Sequence, residues 1–461
     1  MKLVTILFSL TTLLLLVVVT NAVPASSDRL PSRQQQQQKR ESHPLSLPLR
    51  RYKGRKSHQI QRRQQPSFST LDGGNDTVRV TPGLYDMAMT EFAIPISIGT
   101  PAREFLLLFD TGSADTWVVG PSCTNATTCA ADNVYDPHAS TTYASTPYDF
   151  IINYAIGSSN GTYAVDRIAV DDAVLTQQMF AVVNDTEHFF TTQDPNSQYT
   201  IDGILGASFP WSTSLQTYYN VSYLPIPFAL YAAHLIPEPV FSVHMGQAFH
   251  QHNNPDTTTE EDVDLWTGSV TFGAVNTSII DPQAIRYTNI SQWRQFATND
   301  TGYMFWDGRA NQITMESNNN TTTILSSDMG NAPSFIIDTG SNYFSMPEKD
   351  AQELILNHLA PEARIRKEQG GYFVDCNNPR LSDNTTLSIH FYDSNDPTGA
   401  TTFPLSFPIS DLVFQVDQEQ CILAISPGQQ YVVGNFILYR FLSIFDFGNH
   451  RVGFAPLKDS P

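Results

Sequence analysis

Basic residues are scarce. Lys and Arg number 26 against 45 Asp and Glu in 461 residues, and the formal net charge is −19. A phosphate-binding footprint needs the opposite balance, so nucleic acid is not an expected partner. Cysteine is nearly absent too. Cys123, Cys129, Cys376 and Cys421 are too few for a disulfide-built scaffold, and without a C-x-x-C pair they do not suggest a zinc ribbon. No H-E-x-x-H string occurs, and His244, His250 and His252 flank a polar stretch, so they read as solvated surface and no metal is expected. Apart from Leu3 to Val19 there is no long apolar run, and the closing residues Gly453 to Pro461 lack the apolar tail of a lipid-anchor signal.

That one apolar run follows Met1-Lys2 and ends in Thr20-Asn21-Ala22, a small-residue exit, so residues 1 to 22 read as a secretory signal, too short and too interrupted for a membrane anchor. The rest is expected to be soluble, secreted or vacuolar, and monomeric. Eleven Asn-x-Ser/Thr sequons, at Asn75, Asn125, Asn160, Asn184, Asn220, Asn276, Asn289, Asn299, Asn319, Asn320 and Asn384, suit a glycosylated surface. In an oxidising compartment the cysteines read as disulfides. Of three connectivities the favoured one joins Cys123 to Cys129 and Cys376 to Cys421, one bridge per half.

Charge divides the chain sharply. Residues 1 to 63 hold 12 basic and 2 acidic side chains, leaving 14 basic and 43 acidic for the remainder, so a segment near +10 precedes a body near −29. Residues 23 to 75 are rich in Gln, Arg, Lys and Pro, and the dibasic pairs Lys39-Arg40, Arg50-Arg51 and Arg62-Arg63 punctuate them. This composition cannot fold alone and reads as a propeptide laid on the acidic body, with a cut after Arg63 as one end point.

From Glu91 onward the pattern is β. Short apolar runs at Glu91 to Ile98, Glu104 to Phe109, Phe150 to Ala155, Thr162 to Val170, Gly268 to Phe272, Ser334 to Ile337 and Leu442 to Phe445 are bounded by turn residues. Helical spacing is confined to Phe228 to Ile236 and Glu348 to Leu359, and His250 to Asp264 reads as an exposed loop near the junction of two halves, 76 to 247 and 248 to 461. Those halves repeat. Phe109-Asp110-Thr111-Gly112-Ser113 recurs as Ile337-Asp338-Thr339-Gly340-Ser341, and each Asp lies 96 residues before the Gly of a matching apolar element, Ile204-Leu205-Gly206 and Val432-Val433-Gly434. One Asp-Thr-Gly would be an ordinary turn. Two in the same setting point to pseudo-twofold lobes, each presenting one carboxylate on a tight loop that its Gly allows to turn closely and its hydroxyls orient.

The sequence resembles the pepsin family of aspartic endopeptidases, and within it the mucorpepsin group of zygomycete fungi, from about Tyr85 to Leu457. The resemblance rests on Ala93 to Pro101, Leu107 to Val118, Asp202-Gly203-Ile204-Leu205-Gly206, Phe305-Trp306-Asp307, Val433-Gly434-Asn435 and Phe445 to Asn449. It implies an all-β, bilobal acid-protease fold of two barrel-like lobes with a central cleft, and protein and peptide substrates. It also implies Asp110 and Asp338 as the catalytic pair, Thr111 and Thr339 as the lock between the two loops, and Ser113 and Ser341 as donors to the carboxylates beside Gly112 and Gly340. Tyr154 becomes the tyrosine of a flap spanning Tyr154, Ala155, Ile156 and Gly157, with Trp117 as its partner. The flap departs from the family's usual Tyr-Gly-Thr-Gly or similar string, since Ile156 brings no hydroxyl or carboxylate, which points to bulky apolar residues at the cut.

Two carboxylates about 3 Å apart cannot both ionise cheaply, so one proton is shared, and a water between them is activated by one and its product captured by the other. Such chemistry requires no cofactor and no covalent intermediate. A competing serine mechanism would use Gly157-Ser158-Ser159-Asn160-Gly161 as a G-x-S-x-G elbow, but the alternating β-branched residues that follow do not make the helix an elbow requires, so a hairpin tip is expected there. Loss of either Asp or either Gly would have suggested a binding protein on the same fold; all four are present.

Overall fold

The computed structural model describes residues 42–53, 90–124, 129, 131, 133–154, 157–187, 201–245, 266–294, 300–366, 371–415 and 420–458. The signal segment, most of 23 to 75, the loop 250 to 264 with His250 and His252, the sequons at Asn75, Asn125 and Asn299, and the flap residues Ala155 and Ile156 lie outside the described residues.

The β-rich expectation holds, and its physical basis is visible strand by strand. Along Thr385–Tyr392 buried and half-buried residues alternate, with Thr385, Leu387, Ile389 and Phe391 facing the core, as a pleated strand with one covered face requires. Thr116–Val119, Gly203–Gly206 and Phe441–Asp446 are buried at every position and sit inside sheets. In the N-terminal half, six strands close on themselves in the order Thr90–Ile98, Arg103–Asp110, Gly203–Gly206, Thr116–Val119, Ala173–Glu187 and Ser158–Val170. The ring is completed by Ser97 and Ile98 pairing with Ala169 and Ile168. Ala144–Asn153 continues it as an outer strand. The C-terminal half is built on an eight-stranded sheet through Asp307–Ser317, Ser334–Ile337, Tyr431–Val433 and Phe344–Pro347, with a four-stranded sheet beside it. This is the bilobal all-β architecture.

The 96-residue spacing read from the sequence is a strand register. Arg103–Asp110 runs parallel to Gly203–Gly206 with Asp110 opposite Gly206, and Ser334–Ile337 runs parallel to Tyr431–Val433 with Ile337 opposite Val433. Each repeat therefore delivers its Asp at the end of a parallel strand pair.

A further sheet segment joins the first and last parts of the chain. From Thr90–Ile98 it passes through Leu45–Lys53, Trp266–Phe272, Val240–His244, Phe441–Asp446, Arg451–Pro456 and Arg286–Asn289. Leu45–Lys53 falls within the segment expected to have no structure of its own. It is paired on both sides, Leu45 and Leu47 with Phe272 and Val270, and Arg50 to Lys53 with Ala93 to Thr90. The alternation of Leu45, Leu47 and Leu49, all buried, is what seats it. The segment's polar composition conceals that three-leucine stripe, which has no use until a sheet edge is available.

Helices are few and displaced from expectation. The first expected helix is Ile226–Ala232, begun earlier because Pro225 and Pro227 suit a helix start. The second begins at Glu348 as expected but is α-helical only through Gln352 and π-helical from Glu353 to Leu359. A helix at Ser214–Tyr219 had no periodic signal, being only six residues long. Both favoured cysteine pairings are formed, with Cα separations of 5.6 Å for Cys123 and Cys129 and 5.0 Å for Cys376 and Cys421. Gly157 closes the hairpin turn as expected, but Ser159 and Gly161 lie in the strand Ser158–Val170, and the Ser159 side chain is buried, so no nucleophile elbow exists.

Candidate active site

The two repeated loops meet at the centre. Thr111 donates its hydroxyl to the Ile337 carbonyl at 2.8 Å and accepts the Thr339 N–H at 3.0 Å; Thr339 donates to the Phe109 carbonyl at 2.6 Å and accepts the Thr111 N–H at 3.1 Å. Both side chains are buried. Four backbone groups thus depend on two hydroxyls, and losing either hydroxyl strands a buried N–H and a buried carbonyl at about 1–3 kcal/mol each. The two threonines thus tie the loops together symmetrically.

This lock sets Asp110 and Asp338 face to face, each within hydrogen-bonding reach of the other. The glycines contribute across the pair rather than beneath their own carboxylates. A Cβ built on Gly112 would stand 2.5 Å from Asp338 Oδ1, and one on Gly340 would stand 2.7 Å from Asp110 Cγ. No side chain fits in either place. Each carboxylate also accepts from its own loop: Gly112 N–H to Asp110 Oδ1 at 2.7 Å, and Gly340 N–H to Asp338 Oδ1 at 2.9 Å.

The symmetry then breaks. The Ser113 hydroxyl donates to Asp110 Oδ2. Ser341 lines the cleft, but its described contacts are through the backbone, its carbonyl accepting the Asn435 N–H at 2.7 Å. Asn435 in turn braces the C-terminal loop, its amide donating to the Thr339 carbonyl at 3.0 Å and to Asn342 Oδ1 at 3.1 Å. Burial raises the pKa of both carboxyls, and Asp338 is pushed well above the ordinary range by burial and by the negative charge of Asp110. At Asp110 the Ser113 and backbone donors oppose that rise. Negative charge is therefore better accommodated on Asp110.

Around the pair lies a cleft of ≈ 580 Å³. Its described lining is largely apolar and includes Ile151, Ile152, Tyr218, Met304, Phe305 and Val432; among the described lining residues Asp110 and Asp338 are the only charged groups. Tyr154 lines the cleft from the turn between Ala144–Asn153 and Ser158–Val170, its hydroxyl accepting the Trp117 indole N–H at 2.8 Å. Burial, followed by the charge of Asp110, raises the Tyr154 phenol well above its ordinary pKa, so it stays neutral. Gly157 receives the Tyr154 N–H at 2.7 Å.

Asp115, two residues beyond Ser113, was not singled out by its sequence context. It is fully buried and accepts from Tyr163 Oη at 2.6 Å, Tyr223 Oη at 2.8 Å and the Ser214 N–H at 2.7 Å, with no cation among these partners. Burial raises its pKa, only partly opposed by these donors. Because the folded-state pKa lies above the unfolded one, its stabilising contribution is complete below the unfolded value and is lost as pH rises through the folded one. Asp115→Asn should therefore raise the urea midpoint at about pH 7 relative to the parent, and the gain should vanish at about pH 3, where the parent's carboxyl is protonated. Equal effects at both pH values would mean that the ionised carboxylate is not the destabilising species.

Fold and site together define an aspartic endopeptidase. The sequence matches the eukaryotic aspartyl protease family over residues 91–457, and the chain belongs to that family. Mucorpepsin of Rhizomucor miehei is 36% identical over 398 residues, covering 86% of this chain and 84% of that protein. Mucorpepsin of Rhizomucor pusillus is 36% identical over 425 residues, covering 90% of each. The bovine (Bos taurus) chymosin is similar at 26% over 398 residues, covering 85% of this chain and 87% of that protein.

Proposed function

We propose that this aspartic protease is a secreted acid endopeptidase, made as a zymogen, in which Asp110 and Asp338 share one proton and cut beside bulky apolar residues. The observation that carries the reading is the reciprocal arrangement of the two carboxylates, each packed on the other's glycine and locked by Thr111 and Thr339. Asp110, with the Ser113 hydroxyl and the Gly112 amide directed at it, is the ionised partner and general base; Asp338 is the protonated partner and general acid. A water between them loses a proton to Asp110 as its oxygen attacks the scissile carbonyl carbon, while Asp338 gives its proton to the carbonyl oxygen. The resulting diol collapses as the leaving nitrogen takes the proton from Asp110, and one of the hydroxyls returns its proton to Asp338. The apparent ionisations belong to the pair.

The zymogen reading rests on charge and on Leu45–Lys53. A strand bounded by basic segments occupies a two-sided place in a sheet of an acidic body, so the precursor is held both by burial and by charge, and acidification weakens the second. Secretion is supported by surface placement of the glycosylation signals. Of the eight sequon asparagines among the described residues, Asn160, Asn184, Asn220, Asn289, Asn319, Asn320 and Asn384 are exposed, and only Asn276 is half-buried. Among the described residues no helix is long and apolar enough to cross a membrane.

Specificity is the testable edge of the proposal. The described lining offers a cation no partner except the catalytic pair itself, and Ile156 adds none from the flap. Seating Lys against apolar surface costs about 1–3 kcal/mol, so paired peptides that place Phe or Lys on the N-terminal side of the cut should differ by about ten- to hundredfold in kcat/KM. Ile156→Asp should narrow that ratio. Equal cleavage of the two peptides by the wild type would remove the apolar preference, and an unmoved ratio in the variant would remove Ile156 as its source.

A further inference from the structure

The strand that carries the flap is interrupted at its root. Among the described residues Ala144–Asn153 is an edge strand paired only with Ser158–Val170. Ser145 stands opposite Ala164 and Asp149 opposite Thr162, so four residues advance on one side while two advance on the other. Thr146, Pro147 and Tyr148 stand against Tyr163 alone, an excess of two residues, and Pro147 has no N–H to give to a ladder. Thr146 repairs part of the gap by donating its hydroxyl to the Tyr163 carbonyl at 2.6 Å. Beyond the interruption come Ile151, Ile152, Asn153 and Tyr154, all lining the cleft. A bulge at the base of a two-stranded arm is where that arm bends most readily.

One side chain from outside the hairpin spans this point. The Tyr219 hydroxyl accepts the Asp149 N–H at 3.2 Å, and its ring packs against Tyr148 with centroids 5.1 Å apart at 61°. Tyr219 ends the helix Ser214–Tyr219, whose opposite end is fixed to the catalytic loop: Asp115 accepts the Ser214 N–H, and Tyr163, itself bonded to Asp115, accepts the Leu215 N–H at 2.9 Å. Tyr218, next to Tyr219, lines the cleft. The helix thus runs from a residue five positions after Asp110 to the root of the arm bearing Tyr154.

We propose that Tyr219 is a positioning residue that latches the flap at the Thr146–Tyr148 bulge and holds Ile151 to Tyr154 in the substrate-ready position. It rests on the reading of the Tyr154 hairpin as the element that closes over substrate. Tyr219→Phe removes the hydroxyl and keeps the ring against Tyr148, so the fold is retained while the latch is lost.

Two measurements separate the latch from the flap reading. Native-state amide exchange in an Asp338→Asn background, which prevents self-digestion, should show Asp149 and the amides of residues 150–153 exchanging about three- to tenfold faster in Tyr219→Phe, with the remaining barrel amides unchanged. In the otherwise wild-type enzyme the same substitution should raise KM for an extended peptide about three- to tenfold, leave kcat within about twofold and leave Tm within about 2 °C. Unchanged exchange would overturn the latch while leaving the flap reading intact. Faster exchange with unchanged KM would overturn the positioning role and count against the flap reading as well. A fall in Tm of more than about 4 °C with exchange raised throughout the barrel would assign Tyr219 to the fold alone.

Discussion

Asp110→Asn and Asp338→Asn are each expected to lower kcat/KM on a denatured protein at about pH 4 by about 10²–10⁴-fold, the usual contribution of a positioned acid or base. Asn keeps the shape and the acceptor for the Gly112 or Gly340 amide but carries no exchangeable proton at the needed acidity. If the two carboxyls act as one proton-sharing unit, as proposed, the double variant should be no worse than the poorer single variant by more than a few-fold, where independent groups would multiply. The substitutions differ in stability. Burial, and after it the charge of Asp110, raises the Asp338 pKa, so Asp338→Asn removes a charge that the site resists as pH rises. It should leave the protein at least as stable as the parent at about pH 7. An active single variant would show that the pair is not the reacting unit.

The second large effect is on the precursor. Leu49 is buried in the strand Leu45–Lys53, and Leu49→Ala should cost about 2–5 kcal/mol in the uncleaved chain, from the lost transfer energy and the cavity left behind. If that strand belongs to a segment removed on maturation, the cost disappears with it. Urea unfolding of the precursor in an Asp338→Asn background should therefore separate parent from Leu49→Ala, while mature enzyme obtained from either active precursor should unfold at the same midpoint. The weakened precursor should also convert faster on acidification, since burial then holds the segment less firmly. Equal midpoints for the two precursors would show that burial of this strand does not hold the precursor, and a difference that survives maturation would place the strand permanently in the enzyme.

How much of this was legible depends on sequence distance. The Asp-Thr-Gly-Ser repeat and its 96-residue offset could be read because each is local or periodic, and the offset turned out to be a parallel register set within each lobe. The function of Gly112 was only half legible. A turn accounts for a glycine locally, but its contact is Asp338, more than two hundred residues away. Ser113 and Ser341 are identical in sequence context and differ in the structure, because only one hydroxyl reaches its carboxylate. Asp115 and Tyr219 carried no signal: a buried acid without a cation has no local pattern, and a six-residue helix has no period. Leu45, Leu47 and Leu49 do alternate, yet within a Gln- and Arg-rich segment that alternation means nothing until Phe272 and Ala93 supply edges on either side.

The proton-sharing pair is tested most directly by the dependence of kcat/KM on pH, measured on the mature enzyme with one uncharged peptide from about pH 2 to about pH 8. A carboxyl pair that works only with one proton between its members gives a bell, its acid limb falling as the second proton is taken up and its other limb falling as the shared proton is lost, with the maximum in the acid range. The bell belongs to Asp110 and Asp338 if Ser113→Ala, which removes a donor to Asp110, moves the acid limb to higher pH. A single limb that rises to a plateau at neutral pH, or a bell indifferent to Ser113, would contradict the shared proton.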